Sequence, residues 1–581
     1  VTELRPRVYP VQSPLRGTPV TDNTFTSAQS GAASTTATSR HPFTVAVDCT
    51  DLRLVYANWY NNVATASPNE IDVDNPNPIT VSASIEIAGV KYRASFNGQT
   101  SVTIGSGGMV QSDPLPVDVT AGTVIYVWTY VLPTVSWYAN AVSSTPTGSG
   151  GSSSLRTDTA TVTSGSSTVT DTSIVSTDYG KPVSGTGIPA NTYVGTVTAG
   201  ASFLLSSTSG SQTSVNATGN GSSVSVGGDL TGTNISSATI PDATGKFQYV
   251  PSQICGTPLA PIGAAGSTPV ALLVGDSLMG GSNDFSAATY SGRSTTTPAL
   301  AGGGFTARAL YGKIPYIQTA VSGDQAALFL GTSGHFRRWT WASAGTTMLC
   351  NYGRNDLSNG QTLAQIQANL LTIWTMGARR GQRVIQYTVT PYTTSTDGWT
   401  TTGNQANATG NQESVRVSLN TWIRAGAPVA SALSLTPVAV GTAGALVAGQ
   451  PGHPLYTYFE VADLVESARN SGVWATMPGR TITDGVMSMG SITLTSSTAA
   501  FTSADLGSIV TVAGAGTSGA LLVTTVAGVS SGTSAQLATS ASTAVSGATV
   551  KINVAGTKDG LHPSSPLAIV TSAAIVTSQI V

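Results

Sequence analysis

Between Val270 and Leu464 the chain alternates short apolar runs with stretches whose hydrophobic residues recur at helical spacing, and this rhythm restricts the fold more than any other feature. The runs VALLV (Val270 to Val274), TTMLCN (Thr346 to Asn351), RVIQYTV (Arg383 to Val389) and YFEVADL (Tyr458 to Leu464) read as buried strands. Leu363, Ile366, Leu370, Leu371, Ile373 and Trp374 fall on one face of a helix, as do Val415, Leu419, Trp422 and Ile423. Gly377 and Gly381 stand where the first of these should stop. Strands that are apolar throughout and alternate with helices belong in a parallel sheet, because the crossover helices cover both of its faces. Ligands of such sheets bind beyond the carboxyl ends of the strands.

The flanking regions have a different period. From Phe43 to Val142 the runs FTVAVDC, ITVSASIEI and TVIYVWTYV alternate apolar and polar residues between Asn, Pro and Gly clusters, the pattern of an antiparallel β-sandwich. Its aromatics Tyr56, Trp59, Tyr60, Tyr126, Trp128 and Tyr130 read first as core filling and second as a platform for stacking on sugars. Further on, GSSTVT (Gly165 to Thr170), STDYG (Ser176 to Gly180) and GTG (Gly185 to Gly187) recur in the same order as GSITLT (Gly490 to Thr495), SADLG (Ser503 to Gly507) and GAG (Gly514 to Gly516). Two copies are too few for a solenoid, which needs at least about three repeats, so each should close its own core.

The domain reading is an N-terminal arm over 1–40, a β-sandwich over 41–150 and 229–265, and a first inserted all-β module over 151–228. An α/β domain with a parallel sheet follows over 266–484 and 556–581, interrupted by the second module over 485–555. Asp484 and Asp559 are expected to flank that module in near-identical turns, TDG and KDG. Because neither module carries a residue the chemistry needs, deleting 487–555 is expected to spare activity.

Charge narrows the function classes. Only 9% of the 581 residues are charged and the net charge is -2, without the basic footprint that a nucleic-acid partner requires. The longest apolar runs, Val270 to Val274 and the Thr-interrupted Leu567 to Val581, fall short of the roughly 18 residues of a membrane helix, so no membrane insertion is expected. The first residues, VTELRPRVYP, lack the apolar segment of a signal peptide, so either one has been removed or export uses none. Cys49, Cys255 and Cys350 are odd in number and far apart, and they read as buried thiols.

VALLV runs straight into Gly275-Asp276-Ser277-Leu278, which sets a serine hydroxyl at the carboxyl end of a buried strand. Position 279 is Met, so this is not the G-x-S-x-G elbow. Ser322-Gly323-Asp324 follows a second expected strand, Gly353-Arg354-Asn355-Asp356 a third, and Asp559-Gly560-Leu561-His562-Pro563 comes near the end. A serine hydroxyl is a poor nucleophile until an imidazole takes its proton, and the imidazole needs a carboxylate to fix its tautomer. Asp559 and His562, three residues apart in a Gly-containing turn, can face one serine. A neutral amide such as Asn355 can donate to an oxyanion without pairing permanently with a carboxylate product, a bond worth about 3 to 4 kcal/mol in the transition state. His453 also precedes a proline but has no carboxylate three residues upstream, and it reads as structural. His41 and His335 have no partner pattern, and no cluster has metal-ligand spacing, so no metal or cofactor is expected. Asp276 and Asp356 read as braces of their own loops.

These four blocks, in this order and within about 290 residues, resemble the SGNH hydrolase superfamily, also called the GDSL esterases and lipases. The resemblance implies a three-layer α/β/α fold, with Ser277 as nucleophile, His562 as general base and Asp559 as the carboxylate that orients it. It also implies an oxyanion hole made by the backbone N–H groups of Ser277 and Gly323 with the side chain of Asn355. The interruption before Asp559 departs from the family. Ser/Thr/Gly-rich insertions of this kind, with no visible signal peptide, are similar to SGNH esterases carried on bacteriophage virions, in tail or capsid. The function this implies is a serine esterase removing O-acyl groups, O-acetyl first, from a bacterial surface polysaccharide through an acyl-enzyme. Expected partners are the acylated polysaccharide or another ester, other virion proteins, and further copies of the chain, a trimer among the assemblies considered. Two alternatives stand beside it: a structural or receptor-binding virion protein that uses the hydrolase fold as scaffold, and an extracellular bacterial carbohydrate esterase.

Overall fold

The computed structural model of the protein describes residues 37–63, 70–133, 156–175, 182–206, 214–226, 251–259, 268–284, 304–331 and 344–580 almost without gaps, with a few short segments outside them. Six strands, β1 (Asp22–Thr24), β2 (Ala271–Val274), β3 (Tyr316–Gln318), β4 (Thr347–Cys350), β5 (Arg383–Tyr387) and β6 (Thr457–Phe459), form one sheet in the order β1-β3-β2-β4-β5-β6. Every neighbouring pair in it is parallel. Around it lie the helices α1 (Ser277–Gly280), α2 (Phe305–Leu310), α3 (Ala326–Phe329), α4 (Arg354–Ser358), α5 (Leu363–Ala378), α6 (Glu413–Arg424), α7 (Ala462–Val465) and α8 (Ser565–Ala573).

All residues of β2, β3 and β4 are buried, as strands covered on both faces must be. Leu272, Met348 and Val384 pack on Ile366, Leu370 and Trp374 of α5 and Leu419 and Trp422 of α6. Their sequence neighbours Ala271, Leu273, Leu349 and Ile385 point the other way, to Phe305 and Leu310 of α2 and Ala568 of α8. Trp374 and Trp422 stack at 5.6 Å and join the two long helices. β3 and β4 lie on opposite sides of β2, so the connections diverge at its carboxyl end and open a crevice there. The run YFEVADL is half strand: β6 stops at Phe459, and Thr388 Oγ1 accepts from the amides of Val461 (2.8 Å) and Ala462 (2.9 Å), which turns the chain into α7.

The sandwich packs one sheet (Thr18–Pro19, Gln253–Pro258, Cys49–Ala57, Met109–Gln111) on another (Ala37–Thr44, Val124–Pro133, Ile79–Ile87, Val90–Arg93, Val102–Ile104). Leu52, Leu54 and Tyr56 fill it from one side, and Val81, Ile85 and Val127 from the other. The opposite face of the first sheet, with Val55, Ala57 and Cys255, joins the core of the α/β domain, as does Trp59 just beyond it. One expectation needs correction. Part of the supposed arm is built into sheets: Thr18–Pro19 pairs with the sandwich strand Gln253–Pro258, and Asp22–Thr24 is the edge strand β1. The first 17 residues lie outside the described ones. Tyr56, Trp59, Trp128 and Tyr130 are at most 8% exposed and fill the core, the first of the two readings, while Tyr126 is half-buried. Tyr56 is held by Thr129 Oγ1 at 2.7 Å, and Trp128 donates to Glu86 at 2.6 Å under the ammonium of Lys91. The side chain of Tyr60 lies outside the described residues.

The two repeat regions are closed six-stranded barrels. The first uses Arg156–Val162, Thr168–Asp171, Pro182–Ser184, Thr192–Thr198, Ser202–Ser206 and Gly221–Val226, and the second Arg480–Met487, Thr493–Thr495, Ile509–Val512, Leu522–Ser531, Ser534–Leu537 and Val545–Ile552. Taken in chain order, both sets are arranged first-second-fifth-fourth-third-sixth, with the sixth closing on the first. Arg156 therefore stands opposite Val226, and Arg480 opposite Ile552, so each barrel's two ends meet and it fits within a single loop. The second barrel begins before the expected boundary at 485. Asp484 lies within its first strand and does not flank it.

Candidate active site

Ser277 opens α1 directly beyond β2, in the crevice where the connections diverge. Asp276 caps that helix by accepting from Leu278 N at 2.9 Å. From the far end of the chain, His562 places Nε2 at 2.8 Å from Ser277 Oγ and Nδ1 at 2.8 Å from Asp559 Oδ2. The other oxygen of Asp559 accepts from the amides of Leu561 and His562, both at 2.9 Å, so the carboxylate shapes the turn that carries its own partner. Burial pushes the Asp559 carboxyl up, but the hydrogen bond and charge of His562, with these amides, outweigh it and hold the group well below the usual carboxylate range. The Asp559 side chain is 39% exposed and that of His562 14%, so the row of three groups opens to solvent at its carboxylate end.

The arm from Thr557 to Pro563 is pinned at its middle. The carbonyl of Gly560 accepts from Thr393 N at 3.0 Å and from the indole of Trp474 at 2.7 Å. Gly560 has φ +75°, and a Cβ there would stand 1.8 Å from the carbonyl oxygen of Thr393, so only glycine fits. Thr557 closes the turn by accepting from Gly560 N at 3.0 Å.

On the other side of Ser277, Gly323 occupies an exposed turn closed by Asp324 N to Val321 O at 3.2 Å. The Asp324 carboxylate is fixed by buried Arg338 (2.7 Å) and by the Tyr352 hydroxyl (2.6 Å). Its carbonyl accepts from Asn355 Nδ2 at 3.0 Å, and the same amide lies 3.4 Å from Asp276 Oδ2. Asn355 thus ties the Ser277 loop to the Gly323 loop.

Sequence reasoning misses the residues that hold this arrangement. Asn351 donates to Asp276 Oδ1 at 2.8 Å and accepts from Asp276 N at 3.1 Å, locking the end of β4 to the start of α1. Its place at the end of the strand run TTMLCN is a usable signal. Arg338 and Tyr352 have none, since they reach Asp324 only through the fold. Burial pushes the Asp276 carboxyl up to about 6, against the hydrogen bonds from Asn351 and Leu278 N and the charge of His562. Burial likewise raises Asp356 to about 6, while the amides of Ala326 and Ala327, at the start of α3, oppose it.

His453 is a clasp: Nδ1 accepts from Leu455 N at 3.0 Å, which leaves Nε2 to donate to Ala427 O at 2.9 Å. His335 and the side chain of His41 lie outside the described residues. Cys49, Cys255 and Cys350 are buried without disulfides, and burial pushes each thiol up to about 12. Among the described residues, no three His, Cys, Asp or Glu side chains are grouped to hold a metal, and no helix is long and apolar enough to cross a membrane.

No protein-family model and no curated protein matches the chain. Among solved structures, the chain is similar to a lipolytic protein of the G-D-S-L family from Desulfitobacterium hafniense, 13% identical over 27% of this chain and 69% of that one, with a TM-score of 0.19. It is also similar to a family two carbohydrate esterase from Clostridium thermocellum in complex with cellohexaose, 11% identical over 71% of this chain and 85% of that one, with a TM-score of 0.21. A family two carbohydrate esterase from Cellvibrio japonicus is 10% identical over 61% of this chain and 80% of that one, with a TM-score of 0.18. None of the three superposes on the chain as a whole.

Proposed function

We propose that the chain is a serine esterase of the SGNH type, its α/β domain carrying the chemistry. The observation behind this reading is the unbroken row Ser277–His562–Asp559, with two contacts of 2.8 Å. His562 Nε2 takes the proton of Ser277 Oγ as that oxygen attacks the ester carbonyl, while Asp559 holds Nδ1–H and steadies the cation that forms. The oxyanion is received by the backbone N–H groups of Ser277 and Gly323 and by Asn355 Nδ2, which leaves its ground-state partners for the developing charge. His562 then returns the proton to the departing alcohol, and water, activated by the same imidazole, frees the acyl group from Ser277.

The substrate in this reading is an O-acyl group, O-acetyl first, on a bacterial surface polysaccharide, and the enzyme rides on a phage particle with further copies of itself and other virion proteins. Two Ser/Thr/Gly-rich barrels, each with its two ends paired so that it fits within one loop, suit a particle exposed to its surroundings. Wild-type protein should hydrolyse p-nitrophenyl acetate with or without EDTA, release acetate from the host polysaccharide by mass spectrometry, and lose both activities in Ser277→Ala. Turnover that persists in Ser277→Ala, or that EDTA abolishes, would sink the proposal.

A further inference from the structure

Resting on that reading of Ser277 and His562, we propose that the second barrel positions the histidine through the hairpin Thr393–Asn407, with Trp399 and Lys551 as positioning residues. The hairpin pairs Thr393–Ser395 with Gln405–Asn407 and projects from the region beyond β5. Asp397 makes its tip rigid, accepting from Ser395 Oγ (2.8 Å), Thr400 Oγ1 (3.0 Å), Thr401 Oγ1 (2.7 Å) and Asn404 Nδ2 (3.2 Å).

One side of the hairpin meets the barrel. Lys551, on the barrel's last strand, donates to Thr400 Oγ1 at 2.9 Å. A Cβ on Gly398 would stand 2.9 Å from methyl groups of both Thr511 and Val523, so the tip lies flat against the barrel wall. The other side meets the catalytic arm. Thr393 N donates to the carbonyl of Gly560 at 3.0 Å, two residues before His562. The Trp399 ring lies over Gly560, with one ring carbon 3.0 Å from where a Cβ would be, and its indole N–H donates to Thr393 Oγ1 at 2.9 Å.

The arm itself leaves the barrel only a few residues after the last strand ends at Ile552, and Met477 N to Val554 O (2.6 Å) ties the barrel's two ends together. The barrel therefore reaches His562 twice, along the chain and across the hairpin. Under this proposal the second module does affect the chemistry, contrary to the expectation that it can be removed without effect. A misplacement of about 1 Å at a reacting group can cost about 100-fold in rate, so a small rocking of the arm is enough to matter.

The test uses the full chain with Trp399→Ala, Trp399→Phe and Lys551→Met. Three quantities are read for each: the rate at which a fluorophosphonate labels Ser277, kcat and KM for p-nitrophenyl acetate, and the thermal unfolding midpoint. Trp399→Ala should slow labelling and kcat by about 10- to 100-fold, with KM and the unfolding midpoint little changed. Trp399→Phe, which keeps a ring over Gly560, should recover most of the loss. Lys551→Met, on the barrel and away from the serine, should lower kcat by a smaller factor. Labelling of Trp399→Ala at the wild-type rate overturns the proposal, as does a loss in kcat matched by unfolding and not restored by Phe. If Trp399→Ala does not fold, Lys551→Met decides, and wild-type kcat in that variant overturns it. Failure of the wild type itself to label would count against the esterase reading, whereas equal labelling of wild type and variants counts against this inference alone.

Discussion

Asp484 and Asp559 stand in the similar tripeptides TDG and KDG, and what separates them is the company each carboxylate keeps. Asp559 bonds His562 Nδ1 and two amides of its own turn. Asp484 instead accepts from the hydroxyls of Ser496 (2.5 Å), Ser497 (2.7 Å) and Thr498 (2.8 Å) within the second barrel. Asp559→Asn leaves serine and imidazole in place but disfavours the productive tautomer, so the acylation rate should fall by up to about 10⁴-fold. Asp484→Asn should leave that rate unchanged and lower the unfolding midpoint by weakening the barrel. Labelling kinetics and thermal unfolding of the two variants separate these effects, and a reversed pattern would mean that the orienting carboxylate comes from the barrel. Sequence proximity selected the right partner for His562 because three residues in a tight turn bring the side chains together without help from the fold. It could not find Arg338 or Tyr352, whose service to Asp324 spans 14 and 28 residues.

At the scale of elements, Asp276 joins α1 to the end of β4, and the burial that makes it a good clasp also makes its charge costly. Its folded-state value of about 6 lies above the value of about 4 for an unfolded chain. For a carboxyl raised on folding, the contribution to stability is fully present below about pH 4 and is lost as pH rises through about 6. Asp356 acts in the same direction, while Asp559, held low, acts in the opposite one and is common to both proteins compared. Asp276→Asn retains the shape and removes the ionisation, so between about pH 4 and about pH 7 its unfolding midpoint should fall less, or rise more, than that of the wild type. Parallel midpoints across that range would contradict the assignment. The long helices were legible from spacing alone, since α5 and α6 each bury one stripe of residues against the sheet. YFEVADL misled because an apolar run has no period until something fixes it, and the hydroxyl of Thr388, some 70 residues upstream, ends the strand there.

For the molecule as a whole, two barrels of one topology stand in different relations to the chemistry. The first touches the sandwich, where Arg93 donates to the hydroxyl of Tyr193 at 2.6 Å, while the second contacts the hairpin whose Thr393 N bonds the carbonyl of Gly560. Because each barrel's ends are paired strands, either can be replaced by a short linker. Replacing 156–226 should leave kcat for p-nitrophenyl acetate unchanged, and replacing 480–552 should lower it; equal losses would mean that both barrels serve stability only. The parallel-sheet rhythm, the four motif blocks, the barrel repeat and the pairing of Asp559 with His562 are properties of short segments, so local period and spacing were enough to read them. Only the tertiary structure decided that Asp22–Thr24 completes the central sheet, that Asn351 locks Asp276, and that one hairpin contacts both the second barrel and the arm that carries His562. Each of these depends on contacts between residues far apart in the chain, whose meeting is set by how whole elements pack and by no pattern within any one of them.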